Sequence, residues 1–264
     1  LLMSLTSIIL VAGQAPAQTR VSIGVTETIE TLNPYGDSVS LLYGIWSEIT
    51  GPFCTYNYDK GDFEGRLAER WKVENPNTWV FYLNKSYRFN DGSEVTADDV
   101  VHSMMNRVIK DPQSKQKASV AGPIIKAEAV DKHTVRFTTD KPSAPLLGFV
   151  CDRLIVTSKA MFDKFGREVA DKEHMLGAGP YRLKELIPGQ RMVIVKRSDH
   201  PEAKKHPNAP DEIVYRVMRE TEQRVTALLN GEIQIAQFIP PHLRHRVEKS
   251  PNLKIIPTDS VEIM

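Results

Sequence analysis

The chain lacks the usual signatures of catalytic chemistry. It has no Gly-x-Ser-x-Gly elbow, no phosphate-binding glycine loop and no Cys-x-x-Cys pair, so the common hydrolase, nucleotide-binding and thiol-redox motifs are missing. Net charge is nearly absent. The 34 Lys and Arg residues oppose 33 Asp and Glu, a formal +1, and nothing argues for a nucleic-acid partner or for electrostatic docking on a membrane. Internal repeats and low-complexity tracts are missing too. Cysteine is scarce, at Cys54 and Cys151 only. Bridged, the two would close a loop of roughly a hundred residues, worth several kcal/mol at most on the chain-entropy model. Unbridged, they would be two buried free thiols. Both readings stay open, because sequence does not report their separation in space.

Metal-binding patterns are equally thin. His242 and His245 lie three apart, a metal-like spacing on a helix face, but Arg244 and Arg246 beside them oppose a bound cation, so a solvated face is expected. His200 and His206 flank a Lys-Lys pair and read as solvated loop residues, and His102 as a packed or surface histidine. No metal and no cofactor is expected.

What is present is ordinary for a globular protein: 41% hydrophobic and 25% charged residues, with length for one large domain or two smaller ones. Leu5 to Ala12 is a short apolar run followed by Gly13 and Ala15-Pro16-Ala17. Small residues at 15 and 17 fit a signal-peptidase site, so residues 1–17 read as a partial signal peptide with the mature chain starting near Gln18. The run is too short to span a bilayer.

The segment from Leu67 to Arg107 carries the most local information. Trp79, Phe81 and Leu83 alternate with Val80 and Tyr82, the period of a strand packed on at least one face. Asn90-Asp91-Gly92 is a turn signal, because these residues tolerate positive φ. Thr96 sits three residues before Asp99, a capping pattern, and Asp98 and Asp99 complement the positive end of the helix dipole. Val100, Val101, Met104, Met105, Val108 and Ile109 give that helix its apolar face, and Asp111-Pro112 stops it. First-turn placement makes Asp98-Asp99 a cap rather than an acid–base or metal-binding pair.

Elsewhere the pattern predicts a strand at Val21–Val25 and a helix at Ser40–Ile49, with Leu41, Leu42, Ile45 and Ile49 on one face. Paired strands are predicted at Ile124–Val130 and Thr134–Thr138, and a short helix at Thr157–Phe165. Strands follow at Tyr181–Leu186 and Met192–Lys196, around Pro188-Gly189. His200–Pro210 reads as a polar loop, Asp211–Arg219 as a strand, and Glu222–Leu229 as a helix capped by Thr221 and stopped by Gly231. A last strand is predicted at Ile233–Ile235.

Four blocks, in order, resemble the family 5 solute-binding proteins of bacterial ABC importers, the peptide-, dipeptide-, nickel- and opine-binding receptors. They are Thr31-Leu32-Asn33-Pro34; Ala68-Glu69-Arg70-Trp71 with the strand, Asp91-Gly92 and Thr96-Ala97-Asp98-Asp99-Val100; Gly177-Ala178-Gly179-Pro180-Tyr181; and Ala227-Leu228-Leu229-Asn230-Gly231-Glu232-Ile233. Asn33 stands where the family usually has Asp, Asn84 where Arg is common, Gln234 where Asp is common, and His200-Pro201 where an aromatic pair is frequent. These departures bear on ligand class more than on fold.

The resemblance implies an α/β, periplasmic-binding-protein-like two-lobe architecture (cluster C, type II), truncated before the second ligand-closing lobe. Residues 18–50 and 176–264 would form a discontinuous first lobe, with 51–175 as an inserted lobe. It further implies a non-enzymatic, monomeric periplasmic receptor without an indicated lipid anchor. Such a receptor would deliver oligopeptides or dipeptides to ABC permease subunits by hinge closure. Tyr35, Asp37, Ser38 and Ser40 would line one wall of the site, with Gln237 and Phe238 on the facing edge. Receptors for nickel chelates, opines or sugars are the alternatives within the family. A secreted hydrolase using carboxylates near Asp98 or Asp37, or a sensor presenting ligand to a chemoreceptor, are alternatives of another kind.

Overall fold

The computed structural model describes residues 19–36, 40–173 and 175–256, with the side chains of 40–43, 168–169 and 171–173 left out. The expected signal segment, Asp37 and Ser38 therefore lie outside the described residues, as does the side chain of Ser40. Strand β1 (Arg20–Val25) is followed by helix α1 (Ser40–Thr50) and the hairpin β2 (Cys54–Asn57) and β3 (Asp62–Gly65). Next come β4 (Ala68–Asn75), β5 (Thr78–Leu83) and helix α2 (Ala97–Val101), which runs on as wider π-type turns over His102–Ile109. A short π-type segment, Lys117–Ala121, leads into β6 (Ile124–Asp131) and β7 (Thr134–Thr139). Helices α3 (Leu146–Val150) and α4 (Lys159–Glu173) precede β8 (Tyr181–Ile187) and β9 (Arg191–Lys196). The remainder is α5 (Pro201–Lys205), β10 (Glu212–Val217), α6 (Thr221–Leu229), β11 (Ile235–Ala236) and α7 (Pro241–Glu248).

Two larger sheets organise these elements. One has the order β11-β1-β10-β9-β8, with β1 parallel to both β10 and β11, and the other is antiparallel in the order β4-β5-β7-β6. The five-stranded sheet takes one strand from before residue 26 and four from after residue 180; the four-stranded sheet is built entirely from the chain between. Its centre is β5, where Trp79, Val80, Phe81 and Leu83 are all buried, so this strand is covered on both faces. Phe81 packs at 5.2 Å centroid separation against both Phe53 and Phe137. Burying a ring of this size contributes about 1.5–3 kcal/mol.

The capping pattern forms as the spacing predicts. Asp99 Oδ2 accepts from the Thr96 backbone N–H at 2.8 Å and from its hydroxyl at 2.7 Å, and Asp99 Oδ1 accepts from the Lys159 N–H at 2.8 Å. The carboxylate thus joins two helix starts and has no chemistry to spare, while Asp98 is exposed. Gly177-Ala178-Gly179 earns its glycines by close approach to the end of α1. A Cβ on Gly177 would lie 2.7 Å from the Ile49 carbonyl carbon, and one on Gly179 would meet the same atom at 2.7 Å. Backbone cannot yield there as a flexible side chain would.

Several contacts join the two sheets. Asn90 N–H, after β5, donates to the Gly177 carbonyl, before β8, at 2.9 Å. Buried Arg197 donates to the carbonyls of Arg88 (3.0 Å), Phe89 (3.3 Å) and Gly179 (3.2 Å). Cys54 and Cys151 are disulfide-bonded, both buried, with a sequence separation of 97.

Some sequence expectations need correction. The expected helix Thr157–Phe165 begins later, at Lys159, and gives way at Gly166, whose φ of 73° and ψ of 164° are non-helical and open to glycine, to a second helical stretch that ends at Glu173. His200 is not a solvated loop residue. It is buried, with Nε2 3.0 Å from the Ala178 carbonyl and Nδ1 accepting from Glu202 N–H at the start of α5, which interrupts the expected loop. Helix α6 begins one residue earlier than expected, at Thr221, and the last strand reduces to Ile235–Ala236.

Candidate functional site

Strands that run parallel, here β1, β10 and β11, deliver their carboxyl ends to one edge of the sheet, and connecting loops there are free to present side chains. Register fixes that edge: Val25 pairs with Val217, and Gly24 with Ala236. The segments leaving it are Thr26–Glu27 after β1, Met218–Glu220 after β10 and Gln237–Phe238 after β11. Helix α6 connects β10 to β11 past β1, so its amino terminus also lies at this edge.

The three segments are tied together by hydrogen bonds. Gln237 N–H donates to the Gly24 carbonyl at 3.0 Å, and Gln237 Oε1 accepts from Thr26 N–H at 3.5 Å. Arg219 Nη2 donates to Thr28 Oγ1 at 3.2 Å. Beneath them lies Arg224 of α6, only 1% exposed. Its Nη1 donates to the Met218 carbonyl at 2.6 Å and the Arg219 carbonyl at 3.3 Å; its Nε donates to the Gln237 carbonyl at 2.7 Å, and its Nη2 to the Phe238 carbonyl at 2.9 Å. Burial pushes the guanidinium pKa down, with nearby Glu27 opposing the shift. The fully used fork explains how a cation is tolerated there.

What faces outward is short and specific. Glu27 is half-buried, and its carboxylate accepts one hydrogen bond, from Thr26 Oγ1 at 2.6 Å. Gln237 is half-buried, its amide oxygen engaged and its backbone held on both sides. Phe238 is 53% exposed and sits at φ 47°, left-handed backbone that phenylalanine rarely adopts. A carboxylate, an amide and an apolar ring on one edge suit a solute carrying an ammonium group, a hydrogen-bonding backbone and an apolar face.

The structure treats the sequence candidates unequally. It brings Gln237 and Phe238 together at the carboxyl edge. Tyr35 is fully buried, and its hydroxyl donates to the Ile155 carbonyl at 2.6 Å and accepts from Ile155 N–H at 2.8 Å. Tyr35 therefore anchors the loop whose neighbour Asn33 accepts from Arg107 Nη2 at 2.9 Å. Glu27 and Arg224 were missed. Glu27 sits in a polar Thr-Glu-Thr run with no motif, and Arg224 looks like an ordinary polar helix residue until β11 returns beside β1.

A cavity of about 630 Å³ lies elsewhere. Ile213, Tyr215, Lys196 and Tyr181 place it toward the amino end of β10, away from the edge where Val217 ends the strand. Burial raises the Glu48 pKa there and pushes the Tyr181 hydroxyl up to about 12. Lys196, the cation on its wall, is occupied by the Ala209 carbonyl at 2.8 Å and by Asp211. Among the described residues, no group of three or more His, Cys, Asp or Glu is placed to hold a metal ion, and no helix is long and apolar enough to cross a membrane.

This topology is that of the type II periplasmic binding proteins, an α/β class. Residues 62–264 match the model for bacterial extracellular solute-binding proteins, family 5, and the chain belongs to that family. It is 32% identical over 189 residues to the probable D,D-dipeptide-binding periplasmic protein DdpA of Escherichia coli K12, covering 69% of this chain and 36% of DdpA. It is 25% identical over 257 residues to the glutathione-binding protein GsiB of E. coli O1:K1, covering 96% of this chain and 48% of GsiB. Among solved structures it superposes on MoaA of A. tumefaciens R10, in complex with mannopinic acid. The TM-score is 0.76 at 26% identity, covering 89% of this chain and 48% of MoaA. The chain thus spans about half the length of the curated relatives it matches, or less.

Proposed function

We propose that the native protein carrying this chain is an extracytoplasmic receptor for short peptides, and that Glu27, Gln237 and Phe238 form part of one wall of its ligand site. The observation that carries this reading is the tied carboxyl edge, which exposes a carboxylate, an amide and a strained aromatic side by side. In the proposed pose the ligand's ammonium group meets Glu27, its backbone meets Gln237, and an apolar side chain covers Phe238. Asp37, Ser38 and Ser40 remain proposed for the neighbouring wall. Closure of a second lobe over this edge would bury the ligand, and the closed form would be the one that docks on ABC permease subunits in the membrane. A ligand drives that change only through contacts it makes better in the closed state. Within this chain, residues 18–50 with 176–264 are proposed as a discontinuous first lobe and residues 51–175 as a lobe inserted into it, distinct from the lobe that closes.

Relatives named for a D,D-dipeptide and for glutathione support the peptide class. The opine acid bound to MoaA supports a second reading, since it too presents an amine, carboxylates and a polar chain. Native mass spectrometry of the protein purified without denaturation tests between them. Co-purified peptides, recovered intact, are the expected result. A bound opine or sugar would replace the peptide reading, and cleaved peptide would replace the receptor reading.

A further inference from the structure

Phe238 combines two features that are costly apart and informative together. A large apolar ring is half in solvent, on backbone at φ 47°. Left-handed backbone disfavours any residue with a Cβ, and such outliers persist only where surrounding structure over-determines them. The over-determination is visible: Arg224 reaches the carbonyls of Gln237 and Phe238, one on each side of the Phe238 Cα, at 2.7 and 2.9 Å, while its other terminal nitrogen holds the end of β10. Thr221 Oγ1 lies 3.4 Å from Nη2 and steadies the same side of the guanidinium. Packing fixes it from behind, since a Cβ on Gly24 would come within 3.0 Å of Arg224 Cγ. No ion pair of Arg224 is needed to explain its burial, because each contact is a neutral oxygen of the edge it ties.

We propose that Arg224 is a positioning residue: its buried fork clamps the Gln237–Phe238 peptide so that the Phe238 ring is held out, in strained backbone, as a preformed apolar platform for the solute. This rests on the reading of the carboxyl edge as a ligand wall. The platform is a stability cost retained for binding, so stability and affinity should respond to Phe238 in opposite directions. Lysine at 224 keeps the charge and much of the stem but cannot reach both carbonyls in a fixed plane.

The test uses the native protein with two defined probes, D-alanyl-D-alanine and glutathione, in titration calorimetry, alongside thermal unfolding without ligand. For Phe238→Gly the expected result is a Tm higher by about 2–4 °C, with affinity for the better probe weaker by about tenfold. For Arg224→Lys the expected result is weaker binding together with loss of the Tm gain from Phe238→Gly in the double variant, because a freed peptide no longer stores strain. Phe238→Gly that lowers Tm, or that leaves affinity within about twofold while Tm rises, overturns the proposal. Glu27→Gln separates the two layers. If it abolishes probe binding while the Phe238 and Arg224 variants bind normally, the ligand wall stands and the positioning role falls. If neither probe binds the wild-type protein, the ligand reading falls, and the strain is judged by unfolding of the four variants alone.

Discussion

Removing the Cys54–Cys151 bridge should lower stability by more than any single hydrogen bond in the structure. The bridged residues are 97 apart in sequence, so the cross-link denies the unfolded chain a large set of conformations. The chain-entropy model puts that effect at about 5 kcal/mol for a loop of this size, and losses on removing native bridges run at about 2–5 kcal/mol. The folded contacts around it should survive the change. Asp152 N–H still donates to the Cys54 carbonyl at 2.7 Å, Tyr56 N–H still reaches Asp152 Oδ2 at 3.1 Å, and Pro52 still bridges Ile155. The perturbation is Cys54→Ala with Cys151→Ala, which leaves no hydroxyl buried at either fully covered site. With about 2–4 °C of Tm per kcal/mol for a chain of this size, the double variant should melt about 10 °C lower. Scanning calorimetry provides the measurement, with a thiol titration of the wild-type protein to show that no free thiol is present. A Tm within about 2 °C of wild type would refute the reasoning, because the bridge would then constrain nothing that the fold does not already hold.

Three further outcomes follow from named contacts. Gly177→Ala should destabilise by about 1–3 kcal/mol, since the added Cβ meets the Ile49 carbonyl, and a urea midpoint measures it. Asp99→Ala should cost about 1–2 kcal/mol through loss of both caps it serves, again read from denaturant unfolding. His102 and His200 both have pKa values lowered chiefly by burial, so the folded protein resists protons that the unfolded chain accepts. Stability should therefore hold above about pH 6.5, the unfolded histidine value. It should fall as pH drops below that value toward the folded pKa values, and His200→Gln should flatten the Tm–pH slope over that window.

The elements were legible where local chemistry dictates them. Thr96 and Asp99, Trp79 to Leu83, and Gly189 at φ 68° do in the structure what their spacing predicts. The glycines of Gly177-Ala178-Gly179 were legible as a break, but their purpose depends on α1, more than a hundred residues earlier. Tyr35, His200 and Arg224 were not legible, for one physical reason. A side chain that hydrogen-bonds to backbone from a distant segment carries no local pattern, so a buried polar residue reads as a loop or surface residue until the fold supplies its partner. Glu27 was invisible for a related reason: its place at the carboxyl edge follows from the pairing of β1 with β10 and β11, which no window of sequence contains.

The central claim is that solute binds at the carboxyl edge and not in the cavity around Glu48 and Tyr215. Backbone amide chemical shifts, followed during titration of the native protein with D-alanyl-D-alanine or glutathione, test this most directly. The account expects saturable shifts centred on Thr26–Glu27, Arg219–Glu220 and Gln237–Phe238, with the signals of Glu48, Tyr181 and Tyr215 unmoved. Shifts centred on Glu48, Tyr181 and Tyr215, with the three edge segments silent, would contradict it.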